Sequence, residues 1–406
     1  MAERNIWSDV FGISHTTSSI STAANAAKGI PLINHPNFEA GTQIINQRKA
    51  TGTSYRDTST GMEYQQGVAT PTTSWEFDIN SKNMSRILWS LFQKGSFQGA
   101  SSVYPKYFVP FDDPGAEVWL NLIRKLAVSG DSNSHRIKGA MATSITISAE
   151  EGQNLKATAE FNGYGLETNH NIASDTLDFD LLTPLSWSNA TVTLDNTTVN
   201  IPGFSITISN NATTKFYDNA NAVRHNMVDF TVEGNYKMPW AQTTEGGNLQ
   251  LNDFILGTTS RLVIYWGDSE IANADNEFSI IMNIRKTGAV VEGDDEIVIN
   301  TSFEGACTLH SGPNLTTSAS SVAIAGSTTV TGTSTEFDSF NEGDLFYCVG
   351  ATATADRTVR VITAITSDTS MTVFPEFSGT EGSLNYKLHS TPCTITVGDS
   401  QSISGM

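Results

Sequence analysis

The residues able to carry chemistry are few and dispersed. The seven histidines are His15, His35, His135, His170, His225, His310 and His389, and no two of them stand at metal-ligand spacing. The three cysteines, Cys307, Cys348 and Cys393, form no C-x-x-C pair, so they indicate neither a zinc site nor a disulfide framework. One disulfide and a set of buried thiols both remain open, and the odd count favours the thiols. The chain has no G-x-S-x-G elbow and no phosphate-binding glycine loop ahead of a helix. Serine and threonine are so abundant that a serine, a histidine and an aspartate would meet by chance. The acidic run Glu292-Gly-Asp-Asp-Glu296 lacks the alternating ligand positions of a calcium loop and reads as a charged hairpin turn. Asp112-Asp113-Pro-Gly115 reads as a turn into a helix, its carboxylates suited to the orphan amides of a first turn. Trp75, Trp89, Trp119, Trp187, Trp240 and Trp266 would suit a carbohydrate-stacking surface, but most fall in strand or helix patterns, which favours core packing. No catalytic residue, cofactor or metal ligand is therefore assigned, and the chain reads as a non-enzyme.

The elements that would position a site are mainly strands. Residues 1–35, rich in Ser, Thr and Ala, read as an extended arm, and 36–75 as a long twisted hairpin or loop. Residues 73–79 alternate apolar and polar, as a half-buried strand does. Over 83–94 the period changes: Met84, Ile87, Leu88 and Leu91 recur at helical spacing, and Gly95 ends the run. A second helix is expected over 116–128, from Val118, Leu122, Ile123 and Leu126. Strands are expected at 144–148 and 155–161. After a linker near 166–183 come strands at 190–194, 204–209, 229–233, 261–266, 278–284 and 296–303, with a short helix or strand at 249–256. The order partly repeats. Glu151-Gly152 followed by Phe161 is matched by Glu292-Gly293 followed by Phe303, and Trp75-Glu-Phe-Asp-Ile79 resembles Asp229-Phe-Thr-Val-Glu233. The reading is a duplicated domain, with units at 1–170 and 171–313. Past Gly312-Pro313 the chain becomes very rich in Ser and Thr. Short strand patterns at 320–324, 328–331, 345–349, 358–365 and 370–374 indicate a small sandwich or barrel, a third unit over 314–406.

Composition sets the class. Charged residues make up 16% of the 406, against roughly 25% in an average soluble domain. The formal net charge of −19 argues against stable nucleic-acid or anionic-membrane binding, because affinity for phosphate comes from Lys and Arg. It does not argue against DNA passing nearby, since a conduit needs a wall that repels phosphate. No apolar run approaches the roughly 20 residues of a membrane span, and the N-terminus lacks a signal-peptide pattern, so assembly in a cytoplasm is expected.

Three stretches carry a resemblance. They are Pro184-Leu-Ser-Trp-Ser-Asn-Ala-Thr-Val-Thr-Leu194 with Phe204-Ser-Ile-Thr-Ile-Ser-Asn-Asn211; Ser144-Ile-Thr-Ile-Ser148 with Glu151-Gly152 and Glu160-Phe-Asn-Gly163; and Thr328-Thr-Val-Thr-Gly-Thr-Ser334 with Phe337, Gly343-Asp344 and Thr366-Ser-Asp-Thr-Ser-Met-Thr-Val373. The first two resemble the opening and closing parts of bacteriophage tail tube domains, and the third resembles small β modules appended to phage structural proteins. The resemblance implies a mainly β fold: two tandem tail-tube-type β-sandwiches with short flanking helices, plus a C-terminal small sandwich or barrel. It implies a structural virion protein whose rings stack into a tail tube, the conduit for genome ejection. The implied partners are further copies of the chain in trimeric (pseudo-hexameric) or hexameric rings, the tape-measure protein and the tail-tip or terminator proteins. Viral DNA would pass through the lumen without specific binding, and no membrane insertion is implied. The segments 1–35 and 39–72 are candidates for ring stacking, and deletion of 316–406 is expected to leave assembly intact. The alternatives are another phage structural component, such as a decoration or neck protein, and a carbohydrate-binding or adhesin-type β protein.

Overall fold

A computed structural model describes residues 9–16, 21, 28–47, 63–98, 105–110, 118–125, 134–171, 178–179, 183–217, 224–240, 246–272, 274–293, 297–306 and 320–399. The architecture is mainly β. The strands that carry the argument are β1 (Val10–Thr16), β2 (Thr72–Asp78), β3 (Trp119–Lys125), β4 (Ser134–Glu150), β5 (Lys156–Asn162), β6 (Thr191–Leu194), β7 (Gly203–Ser209), β8 (Thr231–Pro239), β9 (Thr259–Trp266), β10 (Phe278–Glu292), β11 (Val298–Gly305) and β12 (Thr394–Val397). The helices are α1 (Ser81–Phe92) and α2 (Gly247–Leu256).

Two runs of the chain make the same pattern of antiparallel pairs. In the first, β1 pairs with β3, β3 with β4, β4 with β5 and β5 with β2. In the second, β6 pairs with β9, β9 with β10, β10 with β11 and β11 with β8. A helix follows the same strand in each run, α1 after β2 and α2 after β8. The match extends to a defect. Between Ser144↔Glu160 and Ala142↔Phe161 the first ladder skips Thr143, and between Gly288↔Ser302 and Lys286↔Phe303 the second skips Thr287. A bulge of this kind bends and twists the strand. Here it lies in the two longest strands, which each pass from one layer to another.

The first layer is continuous across both units, in the order β2-β5-β4-β7-β8-β11-β10, because β7 pairs with β4 on one side and β8 on the other. The second layer consists of β1-β3-β4 in the first unit and β6-β9-β10 in the second. Between the layers lies one shared apolar core containing Trp75, Phe161, Ile147, Ile206, Tyr236 and Phe303. In β2, Thr73, Trp75 and Phe77 turn inward while Ser74, Glu76 and Asp78 turn out, which is what period-2 alternation at 73–79 requires. Gly234 sits mid-strand because a Cβ there would lie 2.5 Å from the Phe303 ring and 2.6 Å from the Ser205 carbonyl. The α1 stripe of Met84, Ile87, Leu88 and Leu91 is buried in the same core. Asn80 starts that helix by accepting from the Lys82 and Asn83 amides, while the Asn83 side chain accepts from the Asn80 amide.

Three expectations are corrected. The second helix is strand β3 over its described part, 119–125. Val118, Leu120 and Leu122 lie in the main core, while Trp119, Asn121 and Ile123 on the opposite side are buried as well. A strand covered on both faces loses alternation and mimics a helical stripe. Second, residues 10–16 of the expected arm form β1, which pairs along its whole length with β3 and buries Phe11 and Ile13; residues 1–8 lie outside the described residues. Third, pairing equates Trp75, opposite Ala159, with Tyr236, opposite Thr301, so the partner of 75–79 is not 229–233 but the run that begins at Tyr236. The expected hairpin at 36–75 is found as Thr42–Gln47 paired with Glu63–Ala69.

The C-terminal strands form a seven-stranded sheet in the order Thr380–Leu384, Ser321–Ala325, Thr329–Thr333, Ser370–Phe374, Val359–Ser367, Leu345–Cys348, Tyr386–His389. Its own core holds Val322, Val330, Phe337, Phe346 and Phe377. Arg360 is buried in it, 3.1 Å from the Asp356 carboxylate and 3.7 Å above the Phe377 ring centroid. Burial alone would raise the Asp356 carboxyl, but donation from the Ser378 amide and hydroxyl, the Gly379 amide and Arg360 holds it below the ordinary carboxylate range. A carboxyl depressed in the folded state contributes stability above its unfolded value of about 3.9, and that stability is lost as pH falls through the lower folded value. Asp356→Ala is expected to remove about 3–5 kcal/mol from the module, since Arg360 is left buried without its counter-charge. Thermal unfolding at pH 7 and pH 3 checks this: the gap between variant and parent narrows in acid, and an equal gap at both would refute the assignment.

After this module, β12 returns to the main body and pairs with β10 on one side and Lys106–Phe108 of the first unit on the other. The 314–406 unit therefore gives up its last strand to the main sheet, and deletion of 316–406 removes part of the main body. The module also docks on the far side of the second layer, through Tyr107, Val109, Val263, Ile281 and Val361. The Arg261 guanidinium donates to the Glu342 carbonyl at 3.0 Å, and the Thr394 hydroxyl donates to the Gly343 carbonyl at 2.8 Å.

Candidate functional site: a polar sheet face between two edges

The residues singled out for chemistry are scattered. His35 meets the Asp9 carboxylate at 3.1 Å, and Arg124 donates to the same carboxylate at 2.9 Å. His15 lies 3.0 Å from an Arg86 nitrogen and packs on Trp89. His225 packs on Trp119, and burial pushes it down to about 4. His389 is lowered by burial and by the Lys387 charge. His135 of β4 lies opposite Arg124, and His170 lies opposite Ser134 of the same strand; His310 lies outside the described residues. Cys348 and Cys393 are free, buried thiols, and burial raises both. Cys307 lies outside the described residues. Trp75, Trp89, Trp119, Trp187 and Trp266 are buried and Trp240 packs against the core, so the core reading of the tryptophans is the one the structure supports. Glu292 accepts from the Asn300 side chain at 3.2 Å; residues 294–296 and 112–115 lie outside the described residues. Among the described residues, no cluster of His, Cys, Asp and Glu is arranged to hold a metal ion.

What the fold does assemble is a face. The continuous layer packs its apolar side on the core and turns the other outward. Along β4, Ile145, Ile147 and Ala149 point in and Ser144, Thr146 and Ser148 point out; along β7, Phe204, Ile206 and Ile208 point in and Ser205 and Thr207 point out. Where the two units meet, the Thr146 and Thr207 hydroxyls are 2.9 Å apart. The register puts Glu76, Asp78, Glu150, Glu160, Glu233, Glu292 and Glu304 on this face, against Lys156, Lys237 and Arg285. Two of the three cations are already engaged, Lys237 with Glu292 at 3.8 Å and Arg285 with Glu304. The surface is therefore hydroxyl-rich and net negative, with few free cations to grip a phosphate.

The layer also has two different ends. At one end, residues 33–39 run along β2: the Ile33 amide donates to Glu76, and Glu39 and Thr72 exchange both backbone bonds. At the other, residues 286–292 of β10 pair with β11 and, among the described residues, with no strand on their second side. Val290, Val291 and Ile297 are exposed there. Unpaired strand edges invite another chain. Sequence reasoning found the strands but not this face, because which side of each strand is outward depends on pairing across the two units.

A continuous sheet with one polar face and two unlike ends offers edges on which further copies of a subunit could pair. The profile of the phage tail tube protein family matches residues 14–305, and the chain belongs to that family. It is a structural component of the phage tail tube. Among curated proteins, none matches.

Proposed function

We propose that three copies of this chain close into a ring, that the polar face of the continuous layer lines the lumen, and that rings stack into the tube through which the genome leaves. The observation that carries this is the repeated strand order on one unbroken sheet. Each unit supplies four segments to that sheet, 33–39, β2, β5 and β4 from the first and β7, β8, β11 and β10 from the second. Three chains then give a barrel of about 24 strands, roughly 50 Å between opposite backbones at ordinary strand spacing and tilt. Six chains would double that width, which favours the trimer over the hexamer. Shared ancestry of the units 1–170 and 171–313 is part of this reading. The appended module then runs from 314 to about 392, with the following strand belonging to the main body.

The remaining roles follow from position. The acidic face would let DNA slide without holding it. The tape-measure protein would occupy the lumen before the DNA does, and terminator and tip proteins would cap the ends. The hairpin of Thr42–Gln47 and Glu63–Ala69 is our candidate for the stacking contact; residues 10–16 are withdrawn from that role because they lie inside the sheet. The module, docked on the layer remote from the polar face, would sit on the exterior. Assembly in the host cytoplasm and a role without catalysis complete the proposal.

Negative-stain electron microscopy of the purified protein across a salt series tests it. Hollow tubes or rings, with three chains per ring by mass photometry, are the expected result. Six chains per ring would overturn the closure count, and dispersed monomers at every salt would overturn the tube reading.

A further inference from the structure

The contact between the two units inside one chain is a template for the contact between chains. Strand β4 of the first unit pairs with β7 of the second, Ser144 opposite Ser209, Thr146 opposite Thr207 and Ser148 opposite Ser205. The equivalent of β4 in the second unit is β10, and the shared bulge sets their alignment: Thr143 matches Thr287, so Thr146 matches Val290 and Ile147 matches Val291. The equivalent of β7 in the first unit is the segment along β2. Thr207 pairs with Glu233 as Glu39 pairs with Thr72, and Glu233 and Thr72 are matched through β11 and β5. Glu39 therefore matches Thr207, and Phe38 matches Ile206.

We propose that residues 288–292 of one copy pair, antiparallel, with residues 37–41 of the next, with Gly288 opposite Gly41, Val290 opposite Glu39 and Glu292 opposite Asn37. This rests on the ring reading above and gives it a register. The apolar side of the edge fits. Within the chain, Ile147 and Ile206 face each other and are 0% exposed. Their counterparts at the open ends are Val291, 52% exposed, and Phe38, half-buried against the core. The seam would place Val291 on Phe38 and complete between chains the apolar pair already made between units. Because Glu39 directs its backbone bonds toward Thr72, its pairing with Val290 would be of the non-hydrogen-bonded kind, in which side chains approach closest.

That geometry sets the test. The full chain carrying Glu39→Cys and Val290→Cys is assembled, oxidised and run on a non-reducing gel. The expected result is a ladder of covalent species ending at the ring size, absent from either single variant. A register control, Asn37→Cys with Val290→Cys, should cross-link far less. Tubes that form without the 39/290 cross-link, or that cross-link better at 37/290, would overturn the seam while leaving the tube. If the parent chain forms no rings, the ring reading fails and the seam with it. Val291→Asp is the second arm: it touches an exposed side chain, so it should leave the folded monomer intact and abolish rings, and unimpaired ring formation would overturn the proposal.

Discussion

Replacing Lys106 by methionine is expected to lower the stability of the main body by about 3–5 kcal/mol, and adding Asp399→Leu is expected to recover most of the loss. Lys106 is on the first unit's strand that pairs with β12, and its Nζ lies 2.8 Å from the Asp399 carboxylate. Both side chains are sealed from solvent, and the same carboxylate accepts from the Ser85 hydroxyl of α1 at 3.3 Å. Burial pulls the Lys106 ammonium below its ordinary value, and the charge of Asp399 opposes that pull. Removing one partner strands the other's charge in an apolar site, which costs more than the pair contributes. Removing both leaves a hydrophobic contact of similar volume. Chemical denaturation of the parent, the two single variants and the double variant completes the cycle. A double variant as unstable as the sum of the singles would show that the two residues are not coupled.

A chain stopped after residue 392 is expected not to fold, whereas excision of 321–389 behind a short linker is expected to leave the main body folded. The truncation removes β12 and with it Cys393, Ile395 and Val397, all 0% exposed in the main core. It also removes Asp399 from Lys106 and unpairs one edge each of β10 and Lys106–Phe108. Each lost core side chain costs about 2–5 kcal/mol, and together they match the whole stability of a typical domain, about 5–15 kcal/mol. The excision keeps that strand. Gly305 and Pro392, which flank the module on the main-body side, are close, since a Cβ on Gly305 would lie 2.8 Å from the Pro392 side chain, so the retained residues and a short linker can span the gap. The excised form uncovers Tyr107, Val263 and Ile281, and polar replacements at Val263 and Ile281 would keep it soluble. Circular dichroism and limited proteolysis distinguish the two variants. Equal folding of both would mean that β12 is dispensable.

How far the sequence led depends on the element. Strands with one wet face, such as β2 and β7, were legible because Trp75 and Phe77, or Ile206 and Ile208, alternate with polar neighbours. The α1 stripe was legible for the parallel reason at helical period. The segment around Leu120 and Leu122 was not, because burial of both faces erased its period. Within the module, Thr380–Leu384 and Tyr386–His389 escaped notice, since Thr-Glu-Gly-Ser carries no apolar alternation and its pairing is decided by neighbours far along the chain. The repeat was visible at its glycine turns but misaligned at Trp75, because identity is absent where Tyr236 fills the same place. The polar face and its seam were out of reach: they depend on β7 meeting β4 across more than fifty intervening residues.

The two hairpins occupy equivalent places, one ahead of β2 and one ahead of β8, yet Thr42–Gln47 with Glu63–Ala69 is long, and Thr213–Lys215 with Arg224–Asn226 is short. In the proposed ring of three chains they would alternate, and the sixfold likeness of the wall would be only cosmetic. Such a ring would behave as a key with three teeth. A neighbouring ring would seat in three rotational phases instead of six, and a phase error of 60° would set a long hairpin where a short one belongs. The docked module would repeat that mark outside, in three ridges whose pitch along the tube would report the rotation from each ring to the next.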